Sequence, residues 1–343
     1  MNKKTKTTIL AFAIVLFGFL LPLFAEVFTI QLATRGLYLG ILAMSFILLA
    51  GYADMTSLAQ MSFALMAGYV IGIGVTEYGM NQFLLIPLAV FGAAVLAGIF
   101  GLIAIRAEKI YFLMMTLALS QLFYGVAFQW VSVTGGYPGI PGIDRPVIFG
   151  YSLLEAKPLY YTTLIVTIVC YIVLRRVINS PFGKTLQGIR DNPSRMAALG
   201  YNVQLHRYIA IVISGTFAGI AGILIVYFTG VAAPSRANLL SSVRVVMAAL
   251  VGGAGVLEGG ILGGILIAFL ISISSSLTTR YWSIIGTLFI LIVMFMPNGL
   301  LGGDLPLGVW SRVVGNKIVG LFTGSSNRKK EPSKTAEQAG EEG

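Results

Sequence analysis

Charge is scarce in this sequence: 10% of its 343 residues are Asp, Glu, Lys or Arg, against roughly 25% in a soluble domain. Cysteine and histidine are scarcer still, with one of each, Cys170 and His206. One cysteine excludes an internal disulfide framework and a cysteine-based metal site, and a lone histidine adds nothing to either. There is no His-Glu-x-x-His, no pair of carboxylates within an apolar run and no nucleophile elbow, so a membrane-embedded hydrolase has no chemistry to work with. Gly183-Lys184-Thr185 has the ending of a phosphate loop. The glycine needed five positions earlier is Ile178, however, and no apolar strand precedes it.

Apolar residues are what the chain has instead, at 57%. Spanning hydrocarbon takes about 20 consecutive apolar residues per helix, and candidate runs lie at 8–25, 36–51, 58–75, 83–105, 111–130, 159–177, 208–228, 243–256, 260–276 and 281–296. The expected fold is therefore all-α, a polytopic membrane protein of about ten transmembrane helices, some short or broken. Weak separation at 51–58 and 252–260 leaves eight or nine spans with re-entrant pieces open as well. The first run, preceded by Lys3, Lys4 and Lys6, shares its layout with a signal peptide. It is long for a signal core, and no small-x-small site closes it.

The formal charge of +10 is read as topology rather than as a nucleic-acid footprint. With ten spans and both termini cytoplasmic, 17 of the 23 basic residues fall on the inner side and six on the outer, as the positive-inside rule requires. The expected location is the cell (inner) membrane, multi-pass, in contact with lipid and with no nucleic-acid partner.

On this reading residues 1–304 form the transmembrane domain. Two longer polar stretches interrupt it, an outward one at 131–158 and a cytoplasmic one at 179–207. In 305–322, Trp310, Val313, Val314, Ile318 and Leu321 recur at helical spacing, the pattern of an interfacial amphipathic helix. Residues 323–343 are polar and read as a disordered cytoplasmic tail.

Glycine is frequent, with 41 residues. Gly68 and Gly72, Gly215 and Gly219, and Gly255, Gly259 and Gly263 fall at four-residue steps that let helix backbones approach closely. The run 252–264 holds seven glycines, each about 1 kcal/mol worse than alanine within a helix, so a broken helix lining a substrate path is a second reading. Tyr52, Asp54, Ser57 and Gln60 interrupt the apolar sequence in a similar way near residue 55. Together with Gly252, Gly253 and Gly255 they form the tentative path set. Asp54 and Glu258, at span junctions, read either as solvated loop carboxylates or as groups near that path.

The most informative segment runs from Pro181 to Gly200. Asn192 can cap a helix, Pro193 suits its first position and Gly200 can end it. A short exposed helix is expected from Pro193 to Leu199, with Ser194 and Arg195 on its polar side and Met196, Ala197 and Leu199 offered for burial. Spacing alone favours an ordinary basic loop that obeys the positive-inside rule.

Gly188-Ile-Arg190-Asp191-Asn192 with Ala197-Ala198-Leu199-Gly200-Tyr-Asn202-Val203 resembles the coupling loop of the branched-chain amino-acid ABC permeases. Three more matches follow in that family's order. They are Gly51-Tyr52-Ala53 with Ser57-Leu58 and Phe63, then Thr134-Gly135-Gly136 with Gly139-Ile140 and Gly142-Ile143, and finally Gly252-Gly253-Ala254-Gly255 with Phe295, Pro297 and Gly299-Leu300-Leu301-Gly302. The resemblance covers about residues 36–302 and is nearest to the LivM type. The departures are Asp54 in place of a small residue, Gln60 where histidine is common, and Arg244 at the outer end of a span.

The resemblance implies a permease subunit of an ATP-driven importer for leucine, isoleucine and valine. It implies a second permease subunit, two ATPase subunits and an extracytoplasmic substrate-binding protein. ATP and Mg would then be used by the ATPases, with no cofactor on this chain and no enzyme activity of its own. Arg190, Asp191, Asn192, Arg195, Ala197, Ala198, Leu199 and Gly200 would be the ATPase-coupling residues. Urea or short-chain amide import by the same family is the alternative, and a self-sufficient secondary transporter is the alternative from another class.

Overall fold

A computed structural model describes residues 18–22, 24–107, 109–148, 151–277, 280–295 and 299–301. The helices are α1 (Val27–Ala53), α2 (Gln60–Thr76), α3 (Gln82–Ala104), α4 (Lys109–Gln129), α5 (Val131–Thr134), α6 (Ala156–Asn179), α7 (Pro181–Asp191), α8 (Pro193–Ala198), α9 (Val203–Thr229), α10 (Leu239–Gly252), α11 (Leu257–Leu277) and α12 (Tyr281–Phe295). Each expected span from 36–51 onward coincides with one of them. Of the first, 8–25, only residues 18–22, 24 and 25 are described, all helical but the last. The hydroxyl of Tyr160 in α6 donates to Gly18 O (2.8 Å) and holds them to the bundle.

Six helices, α1, α3, α4, α6, α9 and α11, are long and apolar enough to cross a membrane, while α2, α10 and α12 are shorter apolar helices. The described residues thus form a multi-pass helical membrane protein. At about 1.5 Å per residue, α1 is roughly 40 Å long and α10 only about 21 Å, so α10 stops short of a bilayer some 30 Å thick. β structure among the described residues is confined to a hairpin of Val147–Ile148 with Tyr151–Ser152 and a bridge between Ile140 and Ala232. Both lie in loops and leave the all-helical architecture unchanged.

The most buried spans are α1 and α9 (78% and 72%), the least is α4 (22%). Around α1 lie α6, α9, α10 and α11; α9 also packs on α2 and α3. These contacts depend on small residues. A Cβ on Gly215 or Gly219 of α9 would overlap Ala97 or Ala93 of α3, and one on Gly264 of α11 would overlap the α1 backbone at Gly40. In lipid, where apolar packing against tails and against helices is nearly equivalent, such close approach is what favours helix association.

The stretch 179–207 holds more helix than expected. Beyond the short helix, Pro181–Asp191 forms α7, and α9 already begins at Val203. Ser180 starts α7, its Oγ accepting from Gly183 N (3.4 Å), and Leu186 and Ile189 are buried beneath it. The expected interfacial helix 305–322 and tail 323–343 lie outside the described residues. All the described residues belong to one compact unit, Met1–Gly302.

Candidate functional site

The short helix forms where its capping residues place it. Asn192 Oδ1 accepts from Arg195 N (2.9 Å), Pro193 takes the first turn, and Gly200 ends the helix at φ 87°. Gly200 N donates to Ala197 O (3.0 Å) and Tyr201 N to Met196 O (3.1 Å), the paired bonds of a Schellman ending. Both ends are therefore fixed by local hydrogen bonds.

Its burial differs from the expectation. Of Met196, Ala197 and Leu199, only Met196 packs inward, its sulfur against Gly188 of α7, while Ala197 and Leu199 stay exposed. A six-residue helix is too short to turn three side chains onto one neighbour, so Leu199 stands out, exposed like Tyr201 and Leu205 after it in the chain.

Arg190 of α7 faces the bundle. Its Nε and Nη2 donate to Asp191 Oδ1 (3.1 and 3.0 Å), and its Nη1 donates to Gly51 O (2.7 Å). The Gly51 carbonyl is available because α1 ends there: Asp54 turns left-handed at φ 55°, and Met55 N bonds back to Leu49 O (3.0 Å). A helix's last carbonyls lack intrahelical donors, and Arg190 supplies one.

The end of α1 meets the break between α10 and α11. Gly253 leaves the helix with φ 116°, residues 253–256 form a turn, and Gly51 packs so closely on Ala254 O that a Cβ would overlap it. Gly252 and Gly259 pack backbone to backbone in the same way. Gly255, expected on one helix face with Gly259 and Gly263, lies instead in the turn, and a Cβ there meets nothing within 4 Å. Leu300 N and Leu301 N donate to Val251 O (3.0 Å) and Gly252 O (3.2 Å), satisfying the end of α10.

Glu258, in the first turn of α11, accepts from the Tyr171 hydroxyl (2.5 Å) and stands 3.6 Å from Arg175, which also donates to Tyr171. Tyr52 lies within electrostatic reach of Glu258, Arg190 and Arg175. Asp54 is exposed, 4.0 Å from an exposed Lys109, a geometry that contributes little.

The path set therefore divides. Tyr52, Asp54, Gly252, Gly253 and Gly255 gather where the two helix breaks meet. Gln60 and Ser57 do not line an opening: they are 1% and 2% exposed, inside the bundle. Gln60 Nε2 donates to Ser214 Oγ (3.1 Å) and its Oε1 accepts from Ser45 Oγ (3.3 Å), while Ser214 Oγ donates to Ser45 O (2.7 Å). This knot ties α1, α2 and α9, and a bond between Ser62 and Ser120 hydroxyls (2.7 Å) ties α2 to α4.

Sequence reasoning passed over Tyr171, Arg175 and Ser214. The i, i+4 spacing of Tyr171 and Arg175 at a span end was a usable signal, whereas nothing local marks Ser214 as a partner of Gln60.

No solved structure matches the chain. Among curated proteins it is similar to the high-affinity branched-chain amino acid transport system permease protein LivM of Escherichia coli K12, 23% identical over 80% of this chain and 70% of that one. It is similar to a probable branched-chain amino acid transport permease protein LivM of Methanocaldococcus jannaschii, 24% identical over 68% and 70%. The E. coli LivH permease is 29% identical over 40% of this chain and 46% of its own length. The family model described as the permease component of the branched-chain amino acid transport system matches residues 28–296. With most of its length so matched, and with the capped loop helix and the meeting helix breaks in place, the chain belongs to that family of membrane permeases.

Proposed function

We propose that this chain is the M-type permease subunit of an ATP-driven importer for branched-chain amino acids. It works beside a second, LivH-type permease, with two ATPase subunits on the cytoplasmic side and a substrate-binding protein outside. Both termini and the 179–207 segment are cytoplasmic, in keeping with the distribution of basic residues. ATP and Mg act in the ATPases, and this chain only moves.

The observation that carries the reading is the connection from the exposed α8, through α7 and Arg190, to the Gly51 carbonyl. An ATPase that grips α8 when it closes on nucleotide displaces α7 with it, because Met196 seats α8 on Gly188. The displacement reaches the crossing of the α1 end with the α10–α11 turn. Tyr52, Asp54, Gly252, Gly253 and Gly255 there form the inner part of the path, where backbone free of a continuous helical ladder can change conformation at small expense. The coupling set is Arg190, Asp191, Asn192, Arg195, Ala197, Ala198, Leu199 and Gly200.

The test is uptake of labelled leucine and of labelled urea by a strain lacking this chain. Loss of leucine uptake, restored by the gene, is expected. Loss of urea uptake alone would overturn the substrate, and transport by the purified chain in vesicles without ATPases would overturn the importer. Sidedness is checked with single cysteines at Tyr137 and Ser194, both exposed, and the buried Cys170 replaced. They should label from opposite faces, Tyr137 from outside.

A further inference from the structure

The one histidine of the chain stands where three helix ends meet. His206 lies in the first turn of α9, and its ring stacks on Phe182, the second residue of α7, with centroids 5.8 Å apart and planes 15° from parallel. Tyr201, which follows the glycine that ends α8, sets its ring edge-on to the same imidazole at 6.0 Å and 77°. Aromatic rings favour both arrangements. The imidazole is also held at its rim, where Nδ1 donates to Asn202 O (2.8 Å). Asn202 is itself fixed, its Oδ1 capping α9 by accepting from Leu205 N (3.0 Å).

Only Tyr201 and Asn202 separate Gly200 from α9. Gly200 is at φ 87°, and a Cβ there would meet nothing within 4 Å, so by itself this glycine is a hinge. A hinge would let α8 move without moving α9. Tyr201 removes that freedom: its N–H bonds to Met196 O (3.1 Å) at the ending of α8, while its ring bears on His206. Phe182 backs the imidazole from the start of α7. The same helix carries α8 through Met196 on Gly188, so α7, α8 and α9 close a ring of contacts around the linker. From there α9 runs into the bundle, where Ser214 shares the knot with Gln60 and Ser45.

We infer that His206 is a positioning residue for energy coupling: clamped between Phe182 and Tyr201, it carries the displacement of α8 into α9. This rests on the importer reading. To the Arg190 route, which ends on α1, it adds a second one that runs through α9 to α2 and α3.

The experiment uses the whole importer, this chain with its partner subunits and binding protein, in proteoliposomes. Leucine uptake per ATP hydrolysed and recovery of the ATPase subunits are measured for the parent, His206→Ala, His206→Phe, Phe182→Leu and the double variant His206→Ala/Phe182→Leu. His206→Ala is expected to lower uptake per ATP by about threefold to tenfold, the worth of one or two aromatic pairs, with ATPase recovery at the parental level. His206→Phe, which keeps the stack and loses the Nδ1 bond, should retain most of the uptake. The double variant should lose no more than His206→Ala alone, because both changes remove the same contact. Parental uptake per ATP in His206→Ala overturns the inference, and so does an additive loss in the double variant. A fall in His206→Phe as large as in His206→Ala also overturns it, since the imidazole rather than the stack would then matter. Loss of ATPase subunits or of assembled complex in His206→Ala would make the ring a docking or structural group and overturns it equally. A parent complex that moves no leucine strikes the importer reading itself, a result seen before any variant is compared.

Discussion

The guanidinium of Arg190 donates to the carbonyl of Gly51 across 2.7 Å, joining residues 139 positions apart. One end of this bond lies two residues from Asn192, the cap of the exposed helix α8, and the other in the last turn of a buried span. Motion imposed on α8 therefore has a short, hydrogen-bonded route to the place where α1 ends and the α10–α11 turn crosses it.

Arg190→Ala should leave the ATPases bound but weaken this route. The Arg190 side chain is 41% exposed, so water softens the loss, and a fall in uptake of roughly three- to tenfold is expected, the low end for a hydrogen bond to a charged group. Recovery of ATPase subunits with the purified permease should stay at the parental level. Loss of that recovery would place Arg190 in the docking surface rather than behind it.

Gly200→Val should act at the opposite end of the chain of contacts. At φ 87° a β-branched residue strains the turn by about 1–2 kcal/mol, enough to unfold the Schellman ending of a six-residue helix. Ala198→Glu places charge beside the exposed Leu199 without touching the backbone. Both variants should insert normally and lose ATPase subunits on purification, whereas Gly200→Asn, which tolerates the left-handed conformation, should keep them. Normal recovery and normal uptake in Gly200→Val and Ala198→Glu would remove α8 from the coupling scheme.

The two glycines of the α10–α11 break should part company. Gly259→Leu drives a side chain into Gly252 O, 2.6 Å from the added Cβ, and overpacking of this kind destabilises by about 1–3 kcal/mol or more. Gly255→Leu has open space around it. Membrane abundance and melting in detergent should drop for the first and hold for the second. If Gly255→Leu nevertheless abolishes transport, its open surroundings belong to the path or to the permease partner.

Gln60→Leu tests knot against path. Hydrogen bonds between membrane helices contribute about 0.6–2 kcal/mol each, and this substitution removes the contacts of Gln60 with Ser45 and Ser214. Lower melting temperature with an unchanged substrate preference is the expected result. A shift in preference between leucine and isoleucine at parental stability would return Gln60 to the path.

The span positions from 36–51 onward were legible, because an apolar run of sufficient length in lipid must satisfy its backbone internally and only a helix does so. The ends of α8 were equally legible. Asn192, Pro193 and Gly200 act within a few residues of themselves, and the structure shows each in the role its chemistry suggests. The sequence also placed polar interruptions near residues 55 and 253 and gave them a common character.

It did not show that the two interruptions touch, that Arg190 turns inward to Gly51, or that Gln60 is buried in a knot with Ser214, 154 positions away. The physical reason is the same in each case. Helices such as α2 and α11 are apolar all round, so periodicity carries no sign of which face meets lipid and which meets another helix. The distinction is made by where backbones can approach, and that depends on pairs of small residues on different helices. Gly51 opposite Ala254 and Gly252 opposite Gly259 became visible only when the helices were packed together.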